Sequence, residues 1–135
     1  MNNSQNYTIR ARNFQIKEAR ELKRKFGKAK PFPSLSIYNF LKDHKPLFEA
    51  IKKEQFYKKD SDLFSFSQTN SLFYSKNPII QSAVKLFSSQ TFSSLISAVS
   101  GIKLKAGALD ISGSLYEKTG YLLCHDDRVE DRKIA

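Results

Sequence analysis

The sequence is poor in cysteine, in acidic residues and in long hydrophobic runs. The first and last of these shortages exclude an internal disulfide and a membrane span. Its single cysteine, Cys124, rules out an internal disulfide and suits a reducing compartment. We therefore expect the protein in the cytoplasm, the nucleus or both. No apolar run approaches a membrane span, and the N-terminus MNNSQNYTIRARNF lacks the apolar middle of a secretory signal. At 135 residues, 40% of them hydrophobic, the chain is long enough for one domain with a core.

Acidic residues are scarcest relative to basic ones at the N-terminal end of the chain. Residues 1–30 hold nine Lys and Arg against two Glu, a net charge of +7, which leaves +3 of the total +10 for residues 31–135. We interpret 1–30 as a basic extension, partly disordered or helical, and 31–135 as the domain. The extension could be a nuclear-import signal, an arm that binds RNA or the ribosome, or a solvated, weakly helical tail. Its candidate contact residues are Arg20, Lys23, Arg24, Lys25, Lys28 and Lys30.

Hydrophobic spacing places the helices in the first hundred residues. Apolar residues recur at helical spacing in four segments, 13–26, 43–57, 78–87 and 91–99. Gly27 is expected to end the first helix, Asn77 and Pro78 to begin the third, and Gly101 to end the fourth. The apolar stripes of these helices predict a packed core.

Period-two alternation predicts β-strands, most of them late in the chain. We expect strands at 35–40, 63–67, 108–116 and 121–125, and the start of another at 132–135. Lys58 to Ser61 is expected to be a polar turn. The predicted fold class is α+β, with helices packed against a sheet that is incomplete at the end of this sequence.

A histidine and a carboxylate two residues apart are the clearest chemical signal. On a strand, His125 and Asp127 point to the same face, so they can supply a nitrogen and an oxygen to one metal ion. Those are two of the three ligands of the 2-His-1-carboxylate triad of Fe(II) oxygenases. The third would be a second histidine further along, and the sequence stops eight residues after Asp127. His44 is expected to be a cap or surface residue, Cys124 a small buried residue, and Asp126 a surface carboxylate.

Several blocks of sequence resemble, in the right order, the ribosomal-protein prolyl hydroxylase family of Fe(II)- and 2-oxoglutarate-dependent dioxygenases. The blocks are Asp62–Thr69 (DLFSFSQT), Thr91–Leu95 (TFSSL), Ser100–Ile102 (SGI), Leu115–Lys118 (LYEK), Leu122–Asp127 (LLCHDD) and Arg132–Ala135 (RKIA). The resemblance extends over about residues 31–135 and leaves out only the basic extension.

The resemblance implies a double-stranded β-helix, a cupin-like jelly roll with helices packed on one side. It implies His125 and Asp127 as iron ligands, and Tyr116 as a hydrogen-bond donor to the 2-oxoglutarate carboxylate. The alternative for Tyr116 is a half-buried strand aromatic. The co-substrate 2-oxoglutarate, the reductant ascorbate and a substrate proline in a small-subunit ribosomal protein follow from the same resemblance. The sequence departs from the family at Asp131 and Lys133, where Gly and Arg are usual.

The family's second iron histidine, and the arginine that pairs with the distal carboxylate of 2-oxoglutarate, lie further along than this sequence reaches. We therefore interpret the chain as the N-terminal part of the catalytic domain, cut after the first iron-ligand strand. The chain as given is expected to be inactive. The alternative is a non-catalytic basic module that binds RNA or the ribosome through residues 10–30.

Overall fold

A computed structural model of the protein describes residues 10, 11, 13, 14, 16–42, 44–107, 109–125 and 134. In this part of the chain, four α-helices accompany a four-stranded antiparallel sheet with open edges. The predicted mixture of helices and a sheet is therefore confirmed. None of the helices within the described ranges is both long and apolar enough to cross a membrane.

Helix α1 (Ile16–Lys28) belongs to the basic extension and packs against the last helix, α4 (Gln90–Ser100). Among the side chains of α1 that the structure describes, Leu22 is buried, only 7% exposed. The expectation that Gly27 ends this helix is wrong, because the helix continues through Gly27 without left-handed backbone and ends at Lys28. The extension is thus helical from residue 16 and attached to the rest of the fold.

The strand predicted at 35–40 is absent from the described structure. The backbone turns there, since Asn39 has a φ of 53°, in the left-handed region that interrupts an extended chain. The aromatic residues that suggested a strand serve packing instead. The ring of Phe40 lies 5.8, 6.2 and 5.9 Å from the ring centroids of Phe14, Phe87 and Phe92, respectively.

Helix α2 (His44–Ile51) is shorter than the predicted helix over 43–57. The chain leaves the helix after Ile51 and enters strand β1 (Phe56–Ser61), so the turn predicted at Lys58 to Ser61 is also wrong. β1 lies at the edge of the sheet, and most of its side chains are exposed. It therefore lacks the apolar alternation by which a half-buried strand is recognised in a sequence.

Strand β2 (Phe64–Thr69) is the central strand and confirms the prediction at 63–67. The two-residue loop Asp62–Leu63 joins it to β1. The antiparallel register runs from the pair Ser61 and Phe64 to the pair Phe56 and Thr69. After β2 the chain forms a short 3-10 turn, Leu72–Tyr74, before the third helix.

Helix α3 (Pro78–Phe87) begins as predicted, with proline in the first turn. The side-chain oxygen of Asn77 accepts a hydrogen bond from the backbone N–H of Ile79 at 2.9 Å, satisfying one of the free N–H groups at the helix start. Gln81 then ties the helix to the 3-10 turn. Its side-chain Nε2 donates to the carbonyl oxygens of Leu72, Phe73 and Ser75 at 3.2, 3.1 and 2.7 Å.

Helix α4 begins at Gln90, one residue before the predicted start. The hydroxyl of Ser89 accepts a hydrogen bond from the backbone N–H of Phe92 at 3.1 Å and so caps the helix. The predicted end is confirmed, because Gly101 has a φ of 77°, the left-handed conformation that glycine adopts most readily.

A small hydrophobic core forms where α2, α3 and the 3-10 turn meet. Its buried residues are Ala50, Leu72, Ile80 and Val84, with Leu47, Ile51, Ile79 and Ile111 packed against them. Ile80 is fully buried. Because Ile111 leads directly towards the late strands, this core fixes the helices relative to the sheet.

Strands β3 (Ser114–Leu115) and β4 (Tyr121–Leu122) complete the sheet. They lie within the strands predicted at 108–116 and 121–125, but each is only two residues long. Ala108 lies outside the described residues, as does the strand predicted at 132–135 apart from Ile134.

Candidate functional site

The central strand β2 brings together three of the sequence blocks on which the resemblance depends. Its own block, Asp62–Thr69, is bordered on one edge by both β3 and β4. The paired positions are Ser67 with Leu115, Gln68 with Ser114, Phe64 with Leu122, and Ser65 with Tyr121. Segments about fifty residues apart in the sequence therefore lie side by side, which is the arrangement that a shared site requires.

Five residues connect β3 to β4 along this edge, Tyr116 followed by the loop Glu117–Gly120. The backbone N–H of Gly120 donates to the Glu117 carbonyl at 2.8 Å. A Cβ on Gly120 would lie 3.0 Å from the Ser65 carbonyl oxygen and 3.1 Å from backbone atoms of Glu117, so a larger residue fits poorly.

Tyr116, the candidate 2-oxoglutarate residue, is positioned by an aromatic contact. Its ring stacks on Phe66, with centroids 5.1 Å apart and planes at 25°. Phe66 in turn contacts Phe64 at 5.6 Å. Tyr116 is 45% exposed, so its phenol can reach a ligand from this side of the sheet. The sequence did not single out Phe66, because its partner is evident only from the register of the strands.

Tyr121 occupies the other face of the sheet, since its partner Ser65 alternates with Phe66. Its hydroxyl donates to the backbone carbonyl of Ser61 at 3.0 Å. The two tyrosines that flank the loop are therefore used differently. Tyr121 ties β4 to the end of β1 through Ser61, whereas Tyr116 extends its hydroxyl from a stacked ring.

His125 follows β4 and is oriented by the backbone. The N–H of Leu123 donates to the Leu63 carbonyl at 2.8 Å, which extends the pairing with β2 by one residue. The His125 Nδ1 lies 2.9 Å from the Leu123 carbonyl oxygen. A carbonyl oxygen can only accept, so Nδ1 carries the hydrogen, and in the neutral ring the lone pair lies on Nε2.

That arrangement fits a metal ligand. Histidines that coordinate metals usually donate their second ring N–H to a carbonyl or carboxylate, which fixes the ring and its tautomer. Asp127, the proposed partner of His125, lies outside the described residues, as does Asp126. Within the described ranges, no group of three or more His, Cys, Asp or Glu side chains is placed to hold a metal ion.

Two other residues near the motif can be placed. Cys124 is exposed, so the expectation that it is buried is wrong. The regular strand has ended before this position, and no second layer covers it in the described structure. His44, the other histidine of the sequence, is an exposed residue at the start of α2, as expected.

The candidate basic residues lie on and just beyond α1, and all are exposed. They are Arg20, Lys23, Arg24, Lys25, Lys28 and Lys30. Within this set, Arg24 forms a two-pronged ion pair with Glu21, with distances of 2.7 Å from Nη2 and 3.1 Å from Nε. Hydrogen bonding from Arg24 lowers the pKa of Glu21 and raises that of Arg24.

No family model matches the chain. The chain is, however, similar to curated proteins. The chain is 38% identical over 109 residues to prolyl 3-hydroxylase OGFOD1 of Mus musculus, an alignment that covers 78% of this chain and 19% of the mouse protein. It is 32% identical over 109 residues to prolyl 3-hydroxylase OGFOD1 of Xenopus laevis, covering 78% of this chain and 21% of the frog protein.

These similarities, together with the motif blocks gathered along β2, show the class of protein to which the chain is related. The chain belongs to the prolyl hydroxylase family, as the sequence resemblance predicts. It spans about a fifth of the length of these curated relatives.

Proposed function

We propose that the chain is the N-terminal part of the catalytic domain of an Fe(II)- and 2-oxoglutarate-dependent prolyl hydroxylase. The observation that carries the proposal is the 38% identity to a prolyl 3-hydroxylase over 109 residues. The complete domain would be a double-stranded β-helix, to which the sheet around β2 contributes its first strands. The side-by-side placement of the motif blocks on β2 supports that fold.

In this proposal, His125 and Asp127 supply two of the iron ligands. The hydrogen bond from His125 Nδ1 to the Leu123 carbonyl leaves Nε2 as the coordinating nitrogen and limits rotation of the ring. Asp127 adds a carboxylate oxygen, which suits a hard divalent cation. When bound, Fe(II) supplies the redox chemistry by which O2 hydroxylates a C–H bond while 2-oxoglutarate is oxidised to succinate and CO2.

Tyr116 has the role of holding the co-substrate. Its hydroxyl would donate a hydrogen bond to a carboxylate oxygen of 2-oxoglutarate, and a bond to a charged acceptor contributes about 1.5–3 kcal/mol. The stack on Phe66 restricts the ring, so less conformational entropy is lost when the bond forms. Ascorbate, the reductant implied by the family resemblance, is assigned to no residue of this chain.

In this proposal, the remaining parts of the site are supplied by residues that follow residue 135 in a longer protein, which we refer to as the full-length protein. His44 opens α2, about eighty residues before His125 in the sequence, and is not proposed as the second iron histidine. The arginine for the distal carboxylate of 2-oxoglutarate is also placed further along. Residues 1–135 alone are therefore expected to bind metal weakly and not to turn over.

The proposed substrate is a proline of a small-subunit ribosomal protein, encountered in the cytoplasm or the nucleus. Support comes from the resemblance in the sequence blocks and from the names of the two relatives, which specify proline hydroxylation. The alternative of a non-catalytic basic module would need no metal site, whereas the 38% identity to a prolyl 3-hydroxylase favours the hydroxylase.

Metal binding tests the site without depending on the substrate. Mn(II), which does not oxidise in air, would be titrated into the full-length protein by calorimetry, alongside the variants His125→Ala, Asp127→Ala and His44→Ala. The first two are expected to weaken binding at least tenfold, because each removes a ligand. His44→Ala is the matched control and is expected to bind as the wild type does. Equal losses for His125→Ala and His44→Ala would refute the assignment.

A further inference from the structure

Helix α1 is attached to the fold by one side only. Leu22 is buried, and Ala19 and Phe26 are half-buried on the same side, where the helix packs against α4. Since successive residues are about 100° apart around a helix, these three lie within an arc of about 60°. The apolar side of α1 is therefore already occupied by its own protein.

The opposite side of α1 is a row of positive charge. Its members are Lys17, Arg20, Arg24 and Lys28, all exposed. At about 100° per residue they fall within an arc of about 80°, centred roughly opposite Leu22. We name this row the cationic stripe. At 1.5 Å per residue it is about 16 Å long, the length of about five phosphates of one nucleic-acid strand at 3.4 Å each.

The acids of α1 neutralise the stripe only in part. Glu18 is half-buried, towards the side that faces α4. Glu21 lies at the margin of the stripe and pairs with Arg24 at 2.7 Å and with Lys25 at 3.8 Å. Lys23 and Lys25 flank the stripe on either side and are exposed. The outer surface of the helix thus carries a net positive charge along its whole length.

The two sides of α1 differ in what they leave accessible, and this difference indicates which kind of partner the helix can bind. A basic amphipathic helix binds a membrane surface, or the groove of a partner protein, by inserting its apolar side. In α1 that side is packed on α4, so a partner meets only the cations. A row of cations without apolar contacts is suited to a phosphate backbone. Phe32 is 65% exposed four residues beyond Lys28 and could stack on an unpaired base.

We propose that the cationic stripe of α1 is a binding site for the phosphate backbone of single-stranded RNA. The choice of RNA rests on the proposed ribosomal substrate, whose surroundings are rich in RNA. The stripe would hold the enzyme on the ribosomal particle while the catalytic site acts elsewhere. Four phosphate contacts on a single strand predict a slope of about −2.8 for log affinity against log salt concentration.

The test compares two full-length variants with equal loss of charge. The stripe variant carries K17Q, R20Q, R24Q and K28Q. The control variant carries K45Q, K53Q, K59Q and K76Q, which are exposed lysines on other parts of the fold. Binding to a fluorescent single-stranded RNA would be measured by anisotropy between 50 and 200 mM salt, without iron or 2-oxoglutarate. Circular dichroism melts would verify that both variants fold.

The stripe variant is expected to lose at least 20-fold in affinity and most of the salt dependence, and the control variant less than threefold. A further variant, E21Q, is expected to bind two- to threefold more tightly because it releases Arg24, a gain that misfolding does not produce. Equal losses in the stripe and control variants would overturn the proposal. So would unchanged RNA binding, or stripe-dependent binding to phosphatidylserine vesicles in place of RNA. Because no turnover is measured, these results are independent of the hydroxylase proposal.

Discussion

Gly113 approaches Ile51 so closely that a Cβ at position 113 would lie 2.7 Å from the Cγ2 of Ile51. The contact joins the end of α2 to the segment that enters β3. It is reinforced by Thr69, whose hydroxyl accepts a hydrogen bond from the Gly113 N–H at 3.0 Å and whose backbone N–H donates to the Gly113 carbonyl at 2.9 Å. The strand that leads to Tyr116 is therefore held directly against the helical core.

Replacing Gly113 with alanine is expected to destabilise the protein by about 1–3 kcal/mol, since Ile51 or the strand must move to admit the methyl group. Urea unfolding would measure the change. Gly27→Ala is the matched control, because nothing lies within 4 Å of a Cβ there and the residue is helical. It is expected to stabilise by about 0.5–1 kcal/mol. Opposite signs for the two substitutions are the diagnostic result, and equal effects would contradict the packing.

Gln81 is predicted to matter for stability through its side-chain donors. In Gln81→Glu the Nε2 that serves three carbonyl groups becomes an oxygen that cannot donate, at an expected cost of about 1–3 kcal/mol. Gln90→Glu makes the same chemical change in the first turn of α4, where a carboxylate is favourable. Thermal unfolding at pH 7 would compare them. Loss of stability in the Gln90 variant alone would contradict this description of the 3-10 turn.

The ion pair on α1 predicts a pH dependence with a defined sign. Because Arg24 lowers the pKa of Glu21, the pair stabilises α1 above the ordinary carboxylate pKa, and this contribution is lost as the pH falls through the lowered value. In Arg24→Gln the titration midpoint of Glu21, followed by NMR, is expected to rise. Arg20→Gln removes the same charge one turn earlier and is expected to leave that midpoint in place. A rise in both variants would indicate a general effect of charge instead of the pair.

Substitutions of the two tyrosines on either side of the Glu117–Gly120 loop are expected to separate an effect on 2-oxoglutarate binding from an effect on stability. Tyr116→Phe keeps the ring on Phe66 but removes the hydroxyl. In the full-length enzyme it is expected to weaken 2-oxoglutarate binding about tenfold or more, with unchanged stability. Tyr121→Phe loses the bond to the Ser61 carbonyl and is expected to lower stability by about 1 kcal/mol without affecting 2-oxoglutarate. The reverse pattern would show that Tyr116 is a structural aromatic.

The sequence predicted best where a local rule decides the structure. Asn77 and Pro78 at a helix start, and Gly101 at a helix end, act through neighbouring backbone groups, and the structure confirms all three. β2 was recognisable because its apolar residues alternate. β1 was missed because an exposed edge strand needs no such alternation, and its pairing with β2 supplies what its own residues do not indicate.

The remaining features depend on contacts that the local sequence does not reveal. Phe40 suggested a strand, but it belongs to a cluster of aromatic rings drawn from three other segments. The basic residues of α1 suggested a tail, but the position of Leu22 against α4 depends on a contact about seventy residues away. At the site, the spacing of His125 and Asp127 indicated metal chemistry. The tautomer of His125, set by the Leu123 carbonyl, became evident only from the structure.

Hydroxylation itself is the most direct test of the central proposal. The full-length protein would be incubated with Fe(II), 2-oxoglutarate, ascorbate and small ribosomal subunits, and prolyl hydroxylation would be followed as a 2-oxoglutarate-dependent mass increase in the tryptic peptides. The proposal predicts hydroxylation by the wild type and by His44→Ala, and a loss of at least 100-fold in His125→Ala. Hydroxylation that persists at the wild-type rate in His125→Ala, or that is absent from the wild type, would contradict it.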